Sequence, residues 1–257
     1  MTATPTVDVA ELEARVKDMY RHVAEEPDGE YHFELGRSLA EHLGYPAEDL
    51  DRIPDQSIES FAGVGYFFGL ADLAEGEKVV DLGSGSGMDV FFAATRVGEA
   101  GRVVGMDFTA PQLEKARRLA EDGGFPQVEF REGRIEDLPL ADASADCVIS
   151  NGVINLAPEK DRVFAEAARV LRPGGRLAIA DIVSEEQLKE SIVCNAELWA
   201  ACIGGAAQQD AYRQAIEGAG LEIEEIKENP YRFISERAQD ASAKYGVKSV
   251  SIRARKT

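Results

Sequence analysis

Val80-Asp-Leu-Gly-Ser-Gly-Ser-Gly-Met88 is the stretch that decides the fold of this chain. A strand candidate, Lys78–Leu82, carries the acidic Asp81 and runs straight into three glycines at alternate positions, Gly83, Gly85 and Gly87. Helix-forming residues follow, from Asp89 to Val97. Glycine has no Cβ, so the backbone can turn sharply and approach a ligand closely. The following helix offers unpaired N–H groups and the positive end of its dipole. Strand, glycine turn and helix together predict a ligand crevice at the carboxyl end of a parallel strand.

Downstream, short apolar runs recur at intervals of roughly 25 residues with helical segments between them, the alternation of a parallel sheet. The other predicted strands are Arg102–Asp107, Val128–Arg131, Asp146–Ser150 and Arg176–Asp181, and the other helices are Pro111–Asp122 and Glu159–Leu171. Pro111 suits a first helical turn, with Thr109 as its cap, and Arg172-Pro-Gly-Gly175 stops the next helix. Gln187–Ala207 and Asp210–Ala219 read as helical, and Leu221–Ile226 pairs with Lys248–Ala254 as an antiparallel closure. Upstream, Val9, Leu12, Val16 and Met19 recur at helical spacing over residues 8–24. Further helical runs are expected over Phe33–Leu43, over Asp55–Gly65 and on through Leu73. The expected fold is therefore α/β, a seven-stranded Rossmann-like sheet that is mostly parallel with an antiparallel last strand. Residues 1–74 are expected to form a helical cap, 75–183 the ligand-binding core, and 184–257 C-terminal helices and closing strands.

Composition narrows the partners. The 257 residues are 44% hydrophobic, enough for a full core, and no run approaches the roughly 20 apolar residues of a membrane span. Met1–Ala10 lacks the basic flank and apolar stretch of a secretory signal, so a cytoplasmic location is expected. Formal net charge is −19, from 47 acidic and 28 basic residues. That surface repels phosphate backbones and anionic membranes, leaving a small molecule as the expected partner. Cys147, Cys194 and Cys202 form no C-x-x-C pair, and His22, His32 and His42 lack ligand-like neighbours, so no metal site is expected.

The ligand in the crevice follows from what the glycine loop lacks. A dinucleotide fingerprint requires G-x-G-x-x-G, but Met88 stands at the third glycine position. Asp81, ahead of the loop, suits an amino group and is awkward beside a pyrophosphate. Here the sequence resembles the class I S-adenosylmethionine-dependent methyltransferases. Further matches are Asp107 at the end of the second strand, Gly133-Arg-Ile-Glu136, Asp146-Cys-Val-Ile-Ser-Asn151 and Leu171-Arg-Pro-Gly-Gly-Arg-Leu177. The resemblance implies S-adenosylmethionine as cofactor, held by Asp81, Gly83, Ser84, Gly85, Gly87 and Met88. It places ribose at Asp107 with Phe108 and Gln112 nearby, adenine at Gly133, Ile135 and Glu136, and the methyl-donor end at Asn151 and Gly152.

Within that class, Ser150-Asn-Gly-Val-Ile-Asn-Leu156, Asp107-Phe-Thr109 and Leu198-Trp-Ala-Ala-Cys-Ile-Gly-Gly-Ala206 resemble the arsenite methyltransferase branch. That branch captures trivalent arsenic, a soft ion, with convergent thiolates. Here Gly152 and Val64 stand where the branch has cysteines, and only Cys202 matches one. Cys194 is expected on the same helix as Cys202, whereas Cys147 reads as a core residue. The expected function is methyl transfer to a small molecule, with arsenite or another metalloid as one alternative and a non-catalytic cofactor-binding protein as another. Trp199, Tyr66 and Cys202 are the expected acceptor contacts, and Phe67 and Phe68 sit beside them. Transfer of an activated methyl needs in-line alignment above all, and no catalytic base is evident in the sequence.

Overall fold

The computed structural model describes residues 8–193, 199 and 203–257. Helices α1 (Val9–Glu25), α2 (Gly36–Leu43), α3 (Ala47–Leu50), α4 (Asp55–Glu59) and α5 (Phe68–Ala71) precede the sheet. Strand β1 (Lys78–Leu82) leads through the glycine loop into α6 (Met88–Val97), then β2 (Arg102–Asp107), α7 (Ala110–Gly123) and β3 (Val128–Glu132). The chain continues as β4 (Ala145–Asn151), α8 (Lys160–Val170), β5 (Leu171–Ser184), β6 (Ala207–Gln208), β7 (Leu221–Glu228) and β8 (Lys248–Lys256).

The strands lie in the order β3-β2-β1-β4-β5-β8-β7. β1 to β5 are mutually parallel, and β8 runs antiparallel to both β5 and β7. An eighth strand, the two-residue β6, pairs with the end of β5 through Val183 and Ala207. It starts at the last residue of the stretch expected to be helical, Gln187–Ala207, and is too short to show a period. From β1 the chain winds outward to β2 and β3, then returns to the other side of β1 as β4. The β1–β4 boundary is thus the topological switch point, where the crevice of such a sheet opens.

Side chains alternate across the strands. Val79, Cys147, Ile149, Ala178 and Ala180 face a core built from α6, α7 and the N-terminal helices. Val80, Val104, Val148, Leu177 and Ile179 face α8 and helix Gln209–Gly218, where Phe164 stacks edge-on against Tyr212. Asp81 therefore falls on the side of Val79, toward the cap. The cap is anchored by polar bonds as well as packing. Lys115 of α7 donates to Ser60 Oγ at 2.8 Å, and Ser60 donates to Val23 O at 3.1 Å.

Three local expectations need revision. Helix α8 gives way directly to β5, and Arg172–Gly175 forms a bulge inside that strand, between the pairs Ala145–Leu171 and Cys147–Arg176. Beyond the bulge, Arg176 is buried and clamps the end of α5, donating to Asp72 O at 2.7 Å and to Glu77 at 2.5 Å. Thr109 holds the N-cap position of α7 without a side-chain capping bond; its N–H goes to Asp107 Oδ1 at 2.8 Å. The helix expected over Asp55–Gly65 is confined to α4, and the residues after it enter the crevice instead.

Candidate functional site

A cleft of about 1140 Å³, its open mouth included, lies over the carboxyl ends of β1, β2 and β4. Its floor is the glycine loop. Gly83 (φ +76°) and Gly85 (φ +51°) occupy backbone conformations that side chains resist. A Cβ on Gly83 would lie 2.5 Å from Val153. Gly83 and Ser84 donate to Met106 O at 2.8 and 2.9 Å, and Gly85 donates to Asp107 Oδ2 at 2.9 Å. One carboxylate thus fixes both the loop after β1 and the start of α7.

Three carboxyls are buried in this cleft: Asp81, Asp89 and Asp107. Asp81 is 2% exposed, and no hydrogen bond reaches its side chain among the described residues. Burial pushes its pKa well above the ordinary carboxyl value, and the charges of Asp89 and Asp107 add to the shift. Burial raises Asp89 to about 6, against hydrogen bonds from Tyr45 and Asn151. Asp107 is also raised by burial, opposed by its bonds from Thr109 and Gly85. Arg134 is the one cationic side chain among the described lining residues, and Glu13 at 2.5 Å and Glu136 at 3.8 Å both hold it. Ser84 Oγ is buried without a partner, a donor left facing the cleft.

The wall of the cleft at the end of β4 is organised by Asn151. Its Nδ2 lies 3.0 Å from Asp89 Oδ2, 3.0 Å from Gly65 O and 3.1 Å from Tyr45 Oη. Its Oδ1 accepts from Val64 N at 2.8 Å, and Tyr45 donates to Asp89 Oδ1 at 2.6 Å. This buried knot ties β4, α6 and the 62–66 loop into one wall.

Of the residues expected to hold the cofactor, Asp81, Gly83, Ser84, Gly85, Met88, Asp107, Phe108, Gln112, Gly133, Ile135, Glu136 and Asn151 all line this cleft. Gly87 and Gly152 do not. Gly87 caps α6 at φ +92°, where a Cβ would lie 2.6 Å from Phe130, so packing accounts for it. Gly152 sits just outside the lining at φ +71°, where a Cβ would lie 3.1 Å from Val64 Cγ1. The two positions read as missing cysteines are therefore neighbours.

The expected acceptor contacts fare differently. Tyr66 packs edge-on against Tyr45 with ring centroids 4.9 Å apart, outside the cleft. Trp199 is buried, donates to Val193 O at 2.5 Å and lies under the Lys160 ammonium, 4.8 Å from the ring centroid. Lys160 also donates to Ala157 O at 2.9 Å, which links Trp199 to the cleft wall at one remove. Cys194 and Cys202 lie outside the described residues. Cys147 is fully buried, and burial pushes its thiol up to about 12, so it presents no thiolate.

Several lining residues were not anticipated: Leu12, Glu13, Val16 and Tyr20 of α1, Ser60–Gly63, Ser86, Asp89 and Leu156. Leu12 and Val16 gave only the stripe of a core helix, and nothing in that stripe distinguishes a core neighbour from a ligand. Asp89 carried a findable signal, since it follows the glycine loop in the first turn of α6 and lies near Asp81.

A phosphate-free, cationic ligand is what this wall requires, and the fold and site together define a Rossmann-like methyltransferase domain. The chain belongs to the methyltransferase domain family, whose profile matches residues 73–220, and the cofactor of that family is S-adenosylmethionine. Among its relatives, an arsenite methyltransferase from Halobacterium salinarum is 41% identical over 225 residues, covering 87% of this chain and 57% of the relative. The solved arsenic(III) S-adenosylmethionine methyltransferase of Chlamydomonas reinhardtii is 33% identical with a TM-score of 0.64, covering 86% of this chain and 74% of that one. A geranyl diphosphate C-methyltransferase from Streptomyces coelicolor A3(2) shares the fold at 19% identity and a TM-score of 0.66, covering 95% of this chain and 98% of that one. The chain spans about half the length of the curated relatives it matches, 57%, 41% and 45% for three of them.

The residues present fit this cofactor. Unpartnered Asp81 suits its ammonium, and Ser84 Oγ has a free hydrogen bond to give. Asp107 keeps acceptor capacity for ribose hydroxyls beyond its two backbone bonds. A dinucleotide would set its phosphates against Asp81, Asp89 and Asp107, a costly like-charge arrangement.

Proposed function

We propose that this chain transfers the methyl group of S-adenosylmethionine to a small-molecule acceptor. The observation that carries this reading is the lining of one cleft, in which buried carboxyls over the glycine loop share the space with apolar side chains. Leu12, Val16, Phe61, Val153 and Leu156 supply the apolar part of that lining. The bound cofactor would supply an already activated methyl on sulfonium, so the protein's work is alignment and exclusion of water.

Asp81, Ser84 and Asp107 hold the donor end, with Gln112, Ile135 and Glu136 around the far ring. Asn151 fixes the wall past which the methyl must travel. The cap, residues 1–74, would cover the cleft through α1 and Ser60–Gly63, and Trp199 backs its wall through Lys160 and Ala157. We assign no catalytic base, so the acceptor's nucleophile must be available in its neutral or anionic form. The net charge of −19 favours a small acceptor over nucleic acid or an anionic membrane. No described helix is long and apolar enough to cross a membrane, and we place the protein in the cytoplasm.

Arsenite is the second reading, favoured by the names of the relatives. Against it, Val64 and Gly152 put an apolar contact where the resemblance calls for thiols, and the described residues hold no metal-binding cluster. Incubating the full chain with methyl-labelled cofactor and arsenite, selenite, small thiols or a metabolite extract separates these readings. Label in an organic product supports an organic acceptor, label in methylated arsenic favours the second reading, and no label in any product removes both.

A further inference from the structure

Asp81 and Asp89 share one end of the cleft, yet only Asp89 receives hydrogen bonds there. Tyr45 donates to one Asp89 oxygen at 2.6 Å and Asn151 to the other at 3.0 Å. Both bonds favour the ionised form of Asp89. Asp81, 2% exposed, has no donor, no cation and two carboxyl neighbours.

The other charged groups around this end are all engaged. Asp107 is held by Gly85 and Thr109 N–H groups, and Arg134 by Glu13 and Glu136. From the cap, Lys115 is spent on Ser60 Oγ, and Lys17 lies over the Phe108 ring, 4.9 Å from its centroid. Arg96, on the far side of Tyr66, is paired with Asp49 at 2.5 Å. Among the described residues, no cation is left to neutralise a second negative charge beside Asp89. A buried pair of carboxyls in that situation keeps one proton.

We propose that Asp89 is a second cofactor-binding carboxylate and that the cofactor's ammonium, seated between Asp81 and Asp89, displaces the proton held by Asp81, so that binding releases a proton to solvent. This rests on the S-adenosylmethionine reading of the cleft and deepens it. The direction of the Asp81 shift agrees: burial and the two neighbouring carboxyls favour its protonated form until a cation arrives. The balance is simple. One ammonium enters, one proton leaves, and Asp81 ends as a carboxylate facing the ligand.

The test is calorimetric titration of the full chain with S-adenosylhomocysteine at pH 7, repeated in buffers of different ionisation enthalpy. The dependence of the observed heat on that enthalpy counts protons. Release of about one proton per cofactor is expected. Asp81→Asn is expected to bind more weakly with no release. Asp89→Asn is expected to bind more weakly with reduced release, because Asp81 is then less strongly held in its protonated form. Near-ultraviolet circular dichroism of each variant shows whether the fold is kept. Tight binding with no buffer dependence in the unsubstituted protein would overturn the proposal while leaving the cofactor reading intact. Unchanged affinity and release in Asp89→Asn would remove Asp89 from the site. Failure of S-adenosylhomocysteine to bind at all would instead strike the cofactor reading itself.

Discussion

The two ends of the cleft are built by different means. The end over the glycine loop is made almost wholly by one continuous strand–loop–helix unit and the ends of β2 and β4, with Gly83, Gly85 and Asp107 locked by backbone hydrogen bonds. The rest of the lining is assembled from segments far apart in the chain: α1, Ser60–Gly63 and Val153–Pro158. It relies on apolar packing and on one polar knot around Asn151. A ligand common to a whole family can be held by local backbone geometry. A ligand particular to one chain is framed by tertiary contacts, which can change without disturbing the sheet.

The largest effect is expected at the donor end. In Gly83→Ala the new Cβ meets Val153 at 2.5 Å and the backbone is strained at φ +76°. A loss of about 2–4 kcal/mol in unfolding free energy is expected, with cofactor affinity down about 100-fold. Chemical denaturation and equilibrium dialysis measure the two. Unimpaired binding would mean that the loop does not cradle the ligand.

Asp81→Asn is expected to weaken S-adenosylhomocysteine binding by about 10- to 100-fold and yet leave the cofactor-free protein as stable or more stable. A carboxyl raised in the folded state binds more protons there than in the unfolded chain. The stability it influences therefore falls as pH rises from its unfolded value toward its folded one. Melting temperatures of the cofactor-free protein between pH 4 and 8 should decline less steeply in the variant, and identical slopes would contradict the assignment.

Asn151→Ala attacks the knot between the two ends. Removing a group that bonds Asp89, Gly65 and Val64 should cost about 2–3 kcal/mol. It should also raise the acceptor KM more than the cofactor Kd. An effect confined to cofactor affinity would place Asn151 wholly in the donor end.

The smallest effect is expected where the two ends differ most from the relatives. Val64→Cys should be tolerated within about 1.5 kcal/mol, and Gly152→Cys should cost about 1–2 kcal/mol for its φ of +71°. The double variant sets two thiols side by side and should bind trivalent arsenic, as read by thiol titration, more tightly than the unsubstituted protein. No gain would show that acceptor selection lies elsewhere, toward Trp199.

This division also explains what was legible in the sequence. β1 and β2 could be bounded from the sequence because each ends at a residue, Leu82 or Asp107, where the chemistry changes abruptly. The donor site was readable because its residues follow strand ends in order. The wall supplied by α1 was not, since Leu12 and Val16 look the same whether a helix packs on protein or on a ligand. Helix Glu236–Tyr245 escaped notice because it buries only Ala238, Ala241 and Tyr245, too little apolar surface for a period to stand out. The place of Asp89 after the glycine loop was legible, but its partners Tyr45 and Asn151 were not, because they come from distant parts of the chain.

The most direct measurement of the central claim is competitive binding of S-adenosylhomocysteine and NAD to the full chain, followed by equilibrium dialysis with labelled ligands. Saturable binding of S-adenosylhomocysteine, lost in Gly83→Ala and untouched by NAD, is the expected result. Saturable binding of NAD in its place, with no uptake of S-adenosylhomocysteine, would contradict the reading of the glycine loop from Asp81 to Met88 on which everything else rests.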